Sequence, residues 1–403
     1  MTKTTGITWA AASARRLERQ FLARRARTGT SVADVAAAML GVHAQVLSAA
    51  ELSVGLRADG VTRTDVRDAL WPTAPPTPTP AHVPAPALVK THGPRGTVHL
   101  LPPRDLPMWC AALPAIPSGT AAFPTDVRLT GEQAGQVVAA IADALDGAFL
   151  TIDELGEEVV ARTGPWAGDL VMPAFQTMWP RWRQVLHRAG QCGALSFGPN
   201  RGRRVTYTRP PHFTPLPPEE ASRLLVRRYL YAYGPATPQH FARWLAAPPG
   251  WAKARYAELA AAGEIEQVRF EGAPAWVAAG DTGFPDAAER DEPLRGVRLL
   301  PYFDAYVVAA QPRELLFPGA AYRRALAGGQ AGNFPVLLVD GVAAGVWHQR
   351  RRGRRTTVTV EPLARLTARQ ERELADCAER VGAVLEAAAA ELVIGEVTVG
   401  AHA

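Results

Sequence analysis

Three short segments of the chain align without gaps: SVADVA at 31–36, TIDELG at 151–156 and TPQHFA at 237–242. Each opens on a hydroxyl residue able to accept hydrogen bonds from the free N–H groups of a helix's first turn. Ser31 and Thr151 carry an acid three residues later, in capping-box spacing, and Thr237 is followed by Pro238, whose missing N–H costs nothing at the first helical position. An apolar residue (Val35, Leu155, Phe241) and a small one (Ala36, Gly156, Ala242) follow where a second helix can cross closely. That is how a helix-turn-helix begins. Downstream of each start lies an amphipathic stretch, then two β-like runs about a turn: LVKTHGPRGTVHLL at 88–101, ALSFGPNRGRRVTYT at 194–208 and IEQVRFEGAPAWVA at 265–278. Gly and Pro mark the turns, and Val, Thr, Tyr and Phe fill the flanks. A helix-turn-helix followed by a hairpin is a winged helix. The expected fold class is therefore α+β, with three tandem winged-helix modules, a unit that can bind nucleic acid or another protein.

The remaining pattern sets the boundaries. The stretch WPTAPPTPTPAHVPAPA at 71–87 is too rich in proline for a helix or central strand and reads as a loop inside the first module. After residue 285 the pattern turns mostly β: VRLLPYFDAYVVAA, then FPVLLVDGVAAGVW with Asp340-Gly341 as a tight turn, then WHQRRRGRRTTVTVEP with Gly353 near its tip. A helix from about 367 to 390 and a last strand near 392–399 close the chain. Residues 1–110, 111–215 and 216–285 are thus expected to form the three winged helices, and 286–403 a small, mostly β C-terminal domain with a basic hairpin. Such a division suits 403 residues with 47% hydrophobic content.

Composition excludes several classes of protein. No apolar run approaches the roughly 20 residues of a membrane span, and the first residues lack a secretory signal, so a cytoplasmic, nucleoid-associated protein is expected. Cys110, Cys192 and Cys377 lie far apart, with no CxxC, which argues against zinc and against a disulfide framework and for free thiols. The formal charge of +6 suits a nucleic-acid partner without demanding one. Lysine occurs only at positions 3, 90 and 253, so nearly all of the 44 basic residues are arginine, as GC-rich coding favours. Clusters say more than frequency, and two stand out: NRGRR at 200–204 and RRRGRR at 350–355.

Five stretches, LGVHAQ at 40–45, RGTVHLLPPRDLP at 95–107, YGPATPQHFARW at 233–244, LLPYFDAYVVA at 299–309 and VDGVAAGVW at 339–347, carry a resemblance in their order and spacing. Over nearly all 403 residues the chain resembles the bacterial AlkZ/YcaQ family of winged-helix DNA glycosylases. The resemblance implies excision of alkylated purines, crosslink unhooking in several members, and a concave surface of tandem winged helices along which DNA lies. It also implies a catalytic signature of a polar, an apolar and a polar residue, commonly Gln-x-Gln or Gln-x-Asp. Here that signature falls on His43-Ala44-Gln45. The first position departs from the common pattern, so the chain resembles a histidine-bearing His-x-Gln branch, and the substrate range of the glutamine forms does not carry over.

The chemistry can be argued without the family. Hydrolysis of an N-glycosidic bond passes through an oxocarbenium-like transition state, and a purine alkylated at N7 is a cation that departs neutral, so no acid is needed to protonate it. What remains is to place and deprotonate a water. Histidine, with an ordinary pKa near 6.5, can accept the proton at neutral pH, while the glutamine carboxamide can hold the water but cannot titrate. Residues two apart share a face in extended backbone and point apart in a helix, so His43 and Gln45 are expected on the turn before a helix beginning near Ser48, itself a possible cap. The plainer reading is that both bond backbone groups at a helix junction.

Other candidates are positional. Arg95, Thr97 and His99 alternate along an expected strand and would share a face toward DNA. Tyr302 and Asp304 would brace the domain interface or touch DNA. Arg201, Arg203 and Arg204, with Arg351, Arg352, Arg354 and Arg355, lie at hairpin tips, where arginine can reach phosphate or the minor groove. The function expected is that of a monofunctional glycosylase, cofactor-free and monomeric, acting on double-stranded DNA with alkylation or crosslink damage, on purines of the N7-alkylguanine type. The rival is a non-catalytic winged-helix transcriptional regulator, which predicts sequence-specific binding, usually as a two-fold dimer. A protein-interaction scaffold would leave the arginine turns without purpose. Aromatic walls and edge-reading groups for a flipped base cannot be picked out of the sequence.

Overall fold

The computed structural model describes residues 6–73, 85–117, 123–174, 176–284 and 296–401. The chain divides into two compact units, one formed by Met1–Ala69 with Val226–Ala403 and the other by Leu70–Leu225. Both helices and sheets are present in each. Among the described residues, no helix is long and apolar enough to cross a membrane.

In the first unit the expected helix starts form. Ser31 caps Val32–Ala38 by accepting from the Asp34 N–H at 3.1 Å. Thr237 caps Pro238–Leu245, and His240 supplies the reciprocal bond that an acid supplies elsewhere. Helix Pro249–Ala261 and the antiparallel hairpin Ile265–Phe270/Ala273–Ala278 follow, with strand Gly6–Ile7 added in parallel. The buried faces of the last two helices meet the end of helix Pro218–Tyr233 in an aromatic cluster of Tyr229, Tyr233, Phe241, Trp244 and Tyr256.

The rest of the first unit is a five-stranded sheet in the order Val297–Leu300, Val336–Val339, Val342–Arg352, Arg355–Pro362, Ala389–Ile394. The first four strands are antiparallel, and the last joins in parallel after the helix Ala368–Val384. Asp340 and Gly341 both take positive φ (51° and 83°), the left-handed pair that a two-residue hairpin turn requires. One sheet face packs Val297, Leu299, Trp347, Val358 and Val360 on Leu374, Val381 and Leu52. The opposite face packs Leu300, Val336 and Val346 on Leu17, Tyr306 and Phe317.

Two expectations for this region are corrected. The run DAYVVAA is not a strand but a short helix, Ala305–Ala309. Asp304 caps it, accepting from the Tyr306 N–H at 3.0 Å, and this local bond overrides the β preference of two valines. The C-terminal helix stops at Val384 rather than near 390, and the last strand begins at Ala389. Glu386 there takes φ 54°, turning the chain so that Ala389 can pair with Arg355.

The second unit holds helix Gly131–Ala144, strand Leu150–Thr151, helix Ile152–Thr163, helix Leu186–Gln191 and strands Ser196–Phe197 and Thr206–Thr208. Strand Leu150–Thr151 pairs with Thr206–Thr208, which pairs with Ser196–Phe197. Thr151 and Glu154 form the expected capping box. Leu155, Val159, Trp182 and Leu195 close the core. The expected hairpin also forms, as Val89–His92/Val98–Leu101. Most of the proline-rich loop, residues 74–84, lies outside the described residues.

Candidate active site

The backbone around residues 40–47 is set by the end of helix Val32–Ala38. Leu40 and Gly41 both take left-handed φ (55° and 95°), and the Gly41 N–H bonds the Ala36 carbonyl at 3.0 Å, closing the helix. The Tyr233 hydroxyl donates to the Met39 carbonyl and fixes this corner. The chain then runs extended through Val42–His43 and re-enters a helix at Leu47–Gly55. The His-x-Gln motif thus occupies the turn before a helix, as its spacing requires. Ser48 is not the cap: Val46 holds that position without a side-chain cap bond, and Ser48 lies in the first turn. His43 is buried, whereas Gln45 is exposed.

The His43 ring rests on Phe303, with centroids 4.4 Å apart and planes tilted by 31°. Phe303 takes φ 55°, a conformation costly for an aromatic residue, and its N–H bonds the Gly332 carbonyl at 2.8 Å. Its neighbour Asp304 holds it there. The Arg57 guanidinium grips both Asp304 oxygens at 2.7 Å, Ser53 Oγ donates to Oδ2 at 2.8 Å, and neither charged side chain is exposed. Ser53 of helix Leu47–Gly55 and Arg57, two residues past its end, therefore anchor the loop beneath the histidine. Asp304 thus braces the inside of this unit, joining residues 53 and 57 to 304, rather than an interface between the two units.

Beside the motif opens a pocket of about 150 Å³, lined by Val46, Ser48, Tyr302, Phe303, Trp347 and Gln349 among others. The Trp347 indole N–H donates to the Leu300 carbonyl at 2.8 Å, which fixes that wall. Gln349 Oε1 and His348 Nδ1 are buried without a hydrogen-bond partner. Burial, with Arg350 nearby, holds the His348 imidazole below its ordinary pKa.

From the same strands the hairpin Val342–Arg352/Arg355–Pro362 projects Arg350 to Arg355, all exposed, around Gly353 (φ 58°). Arg350 and Arg352 share a cavity of about 460 Å³ with His348, Thr357 and Thr359. No grouping of three or more His, Cys, Asp or Glu suited to a metal ion occurs among the described residues.

Residues of the second unit are placed differently from expectation. Arg95, Thr97 and His99 do not alternate along one strand. Arg95 sits in a tight turn at φ 60°, Thr97 follows that turn, and only His99 lies on strand Val98–Leu101. The turn is tightened by the Gly96 N–H bonding Gly93 O and the Thr97 N–H bonding Pro94 O, which extended pairing would not allow. His99 is buried, with Nδ1 2.9 Å from the Thr97 carbonyl. In the 200–204 turn, Arg201 bonds Glu154 and the Phe149 carbonyl, both at 2.7 Å, while Arg203 and Arg204 are exposed at the tip. The three cysteines are free, and burial pushes the Cys110 thiol up to about 12.

Comparison with known proteins gives the family. A family model described as "DNA glycosylase AlkZ-like" matches residues 36–384, a span holding both the motif and the basic hairpin. The chain belongs to the AlkZ-like DNA glycosylase family. Its sequence is 31% identical to the interstrand DNA cross-link repair glycosylase of Streptomyces sahachiroi over 353 residues, 84% of this chain and 87% of the relative. The solved structure of the Streptomyces sahachiroi DNA glycosylase AlkZ superimposes with a TM-score of 0.74 at 28% identity, covering 97% of this chain and all of that one. In this AlkZ-like glycosylase, Phe303, Arg57 and Gln349 escaped sequence reasoning. Their importance arises only when residues some 250 positions apart meet, as Arg57 and Asp304 do at a separation of 247.

Proposed function

We propose that this glycosylase excises purines of the N7-alkylguanine type from damaged duplex DNA, with His43 and Gln45 as its catalytic pair. The observation that carries the reading is the seating of His43 on Phe303, itself a wall of a pocket, with exposed Gln45 two residues on. Gln45 holds a water, and His43 accepts its proton as the oxygen attacks C1′. The C1′–N9 bond breaks, its electron pair passes to the purine, and the alkylated base leaves neutral with no acid to assist it. The Streptomyces sahachiroi relative, an interstrand DNA cross-link repair glycosylase, motivates a second substrate, the interstrand crosslink, whose unhooking is the same bond cleavage on a bulkier base.

DNA binding is assigned to three winged-helix modules, residues 1–110, 111–215 and 216–285, with the domain 286–403 adding its hairpin. The helix-and-hairpin sets of residues 151–208 and 237–278 support the reading for the second and third modules. Arg351, Arg352, Arg354 and Arg355, then Arg203 and Arg204, are the exposed cations that suit phosphate contact. Arg95, Thr97, His99 and Arg201 fill supporting places, and the protein acts as a monomer on DNA.

The test is single-turnover excision of 7-methylguanine from duplex by His43→Ala, Gln45→Ala and the double variant. Each single change should slow excision by roughly 10²- to 10⁴-fold, with the double little worse than the slower single, because residues that hold one water act as a unit. Parental rates in both singles would sink the assignment.

A further inference from the structure

We infer that the pocket beside the motif receives the departing purine base, and that the Gln349 carboxamide reads its hydrogen-bonding edge. The inference rests on the catalytic reading of His43 and Gln45 and adds to it the site of the leaving group. Three observations meet in this pocket.

The first is position. Phe303 lines the pocket and also stacks on His43, and Val46 lines it one residue after Gln45. A base whose glycosidic bond is attacked at the motif therefore departs toward these walls. The second is shape. At about 150 Å³ the pocket is smaller than the roughly 300–1,000 Å³ of drug-sized ligand sites. Phe303, Tyr302 and Trp347, with Pro301 and Pro335, give it flat apolar walls suited to one planar ring system.

The third is the orphaned acceptor. Trp347 and Gln349 lie two apart on strand Val342–Arg352 and so share a sheet face, the one turned to Leu52 and helix Leu47–Gly55. Gln349 lines the pocket, and its Oε1 is buried without a partner. Leaving a buried acceptor unsatisfied costs about 1–3 kcal/mol, so such atoms mark places where a ligand completes the bonding. Its complement is a ring N–H or amino group, and guanine carries both on one edge, at N1 and N2. In the alkylated cation those N–H groups are stronger donors, which favours the damaged base over the normal one.

The probe is free 7-methylguanine, titrated into the full-length protein and followed by saturation-transfer NMR, with folding of each variant checked by thermal melting. The parent should bind it. Gln349→Met, close in size but without the acceptor, should bind about tenfold more weakly, the value of one buried hydrogen bond. Val46→Trp, at an exposed position on the pocket wall, should abolish binding and serves should Gln349→Met fail to fold. No binding by the parent, or equal binding by parent and both variants, overturns the assignment. His43→Ala separates the two readings: it should still bind 7-methylguanine, and parental excision by that variant would refute the catalytic pair while leaving the pocket result standing.

Discussion

The Arg57–Asp304 pair sustains the loop beneath His43, and its removal can be worked through quantitatively. Both side chains are fully buried, two bonds of 2.7 Å join them, and Ser53 Oγ and the Tyr306 N–H complete the carboxylate's shell. Deleting one partner strands the other as an uncompensated buried charge, which costs about 3–5 kcal/mol. Asp304→Asn should fall at the upper end, because the guanidinium keeps the Ser53 oxygens and one amide oxygen but loses its counter-charge. Arg57→Met should fall at the lower end, since the Ser53 hydroxyl and the Tyr306 N–H still donate to the carboxylate. The double variant Arg57→Met/Asp304→Leu removes both charges and should be more stable than either single, a coupling of about 2 kcal/mol or more. Urea unfolding followed by tryptophan fluorescence measures all three, and single-turnover excision on the folded variants should drop as Phe303 loses its anchor. Singles costing under about 1 kcal/mol, or losses that simply add, would refute the argument that this ion pair holds the site.

Replacing Arg351, Arg352, Arg354 and Arg355 by Ala should weaken duplex binding and lower the slope of log K against log salt by about 0.9 for each phosphate no longer neutralised. Fluorescence anisotropy across a salt series measures it, and an unchanged slope removes the hairpin from the interface. His92, packed edge-on to His187 and held by burial at about 4 against an ordinary 6.5, takes up its proton more readily in the unfolded chain. Its contribution is complete above pH 6.5 and is lost as pH falls toward 4, up to about 3 kcal/mol, with His187 shifted the same way. His92→Gln should flatten the dependence of the urea midpoint between pH 7 and 4.5, and an unaltered profile would show that this imidazole is not the sensitive group.

Local rules were legible in the sequence where the deciding bond is local. Ser31, Thr151 and Thr237 announce their helices because the cap and its N–H lie within three residues, and Asp340-Gly341 announces its turn because left-handed φ is cheap for that pair. The run DAYVVAA misled because one capping bond from Asp304 outweighs the β preference of its valines. RGTVH misled because Arg95 accepts a left-handed turn that alternation cannot reveal. His43 and Gln45 could be singled out as residues, but the floor under His43 could not. It is built by Phe303 in a strained conformation and by a charge pair spanning 247 positions, and no local pattern encodes a contact of that range.

The first unit is discontinuous in the chain, with residues 70–225 interposed between its two parts. On a ribosome adding roughly 5–20 residues per second, Arg57 waits on the order of 10–50 s before Asp304 emerges. Through that interval Arg57 has no counter-ion, and the helix Leu47–Gly55 that follows the motif lacks the sheet face on which Leu52 packs. The interposed residues, by contrast, are complete with a core of their own well before synthesis ends. Birth order is thus the reverse of chain order, and a nascent chain cut short before residue 304 carries the His-x-Gln motif but no floor to seat it. Chaperone demand should accordingly concentrate on the N-terminal helices, with excision activity appearing only after the C-terminal sheet has closed.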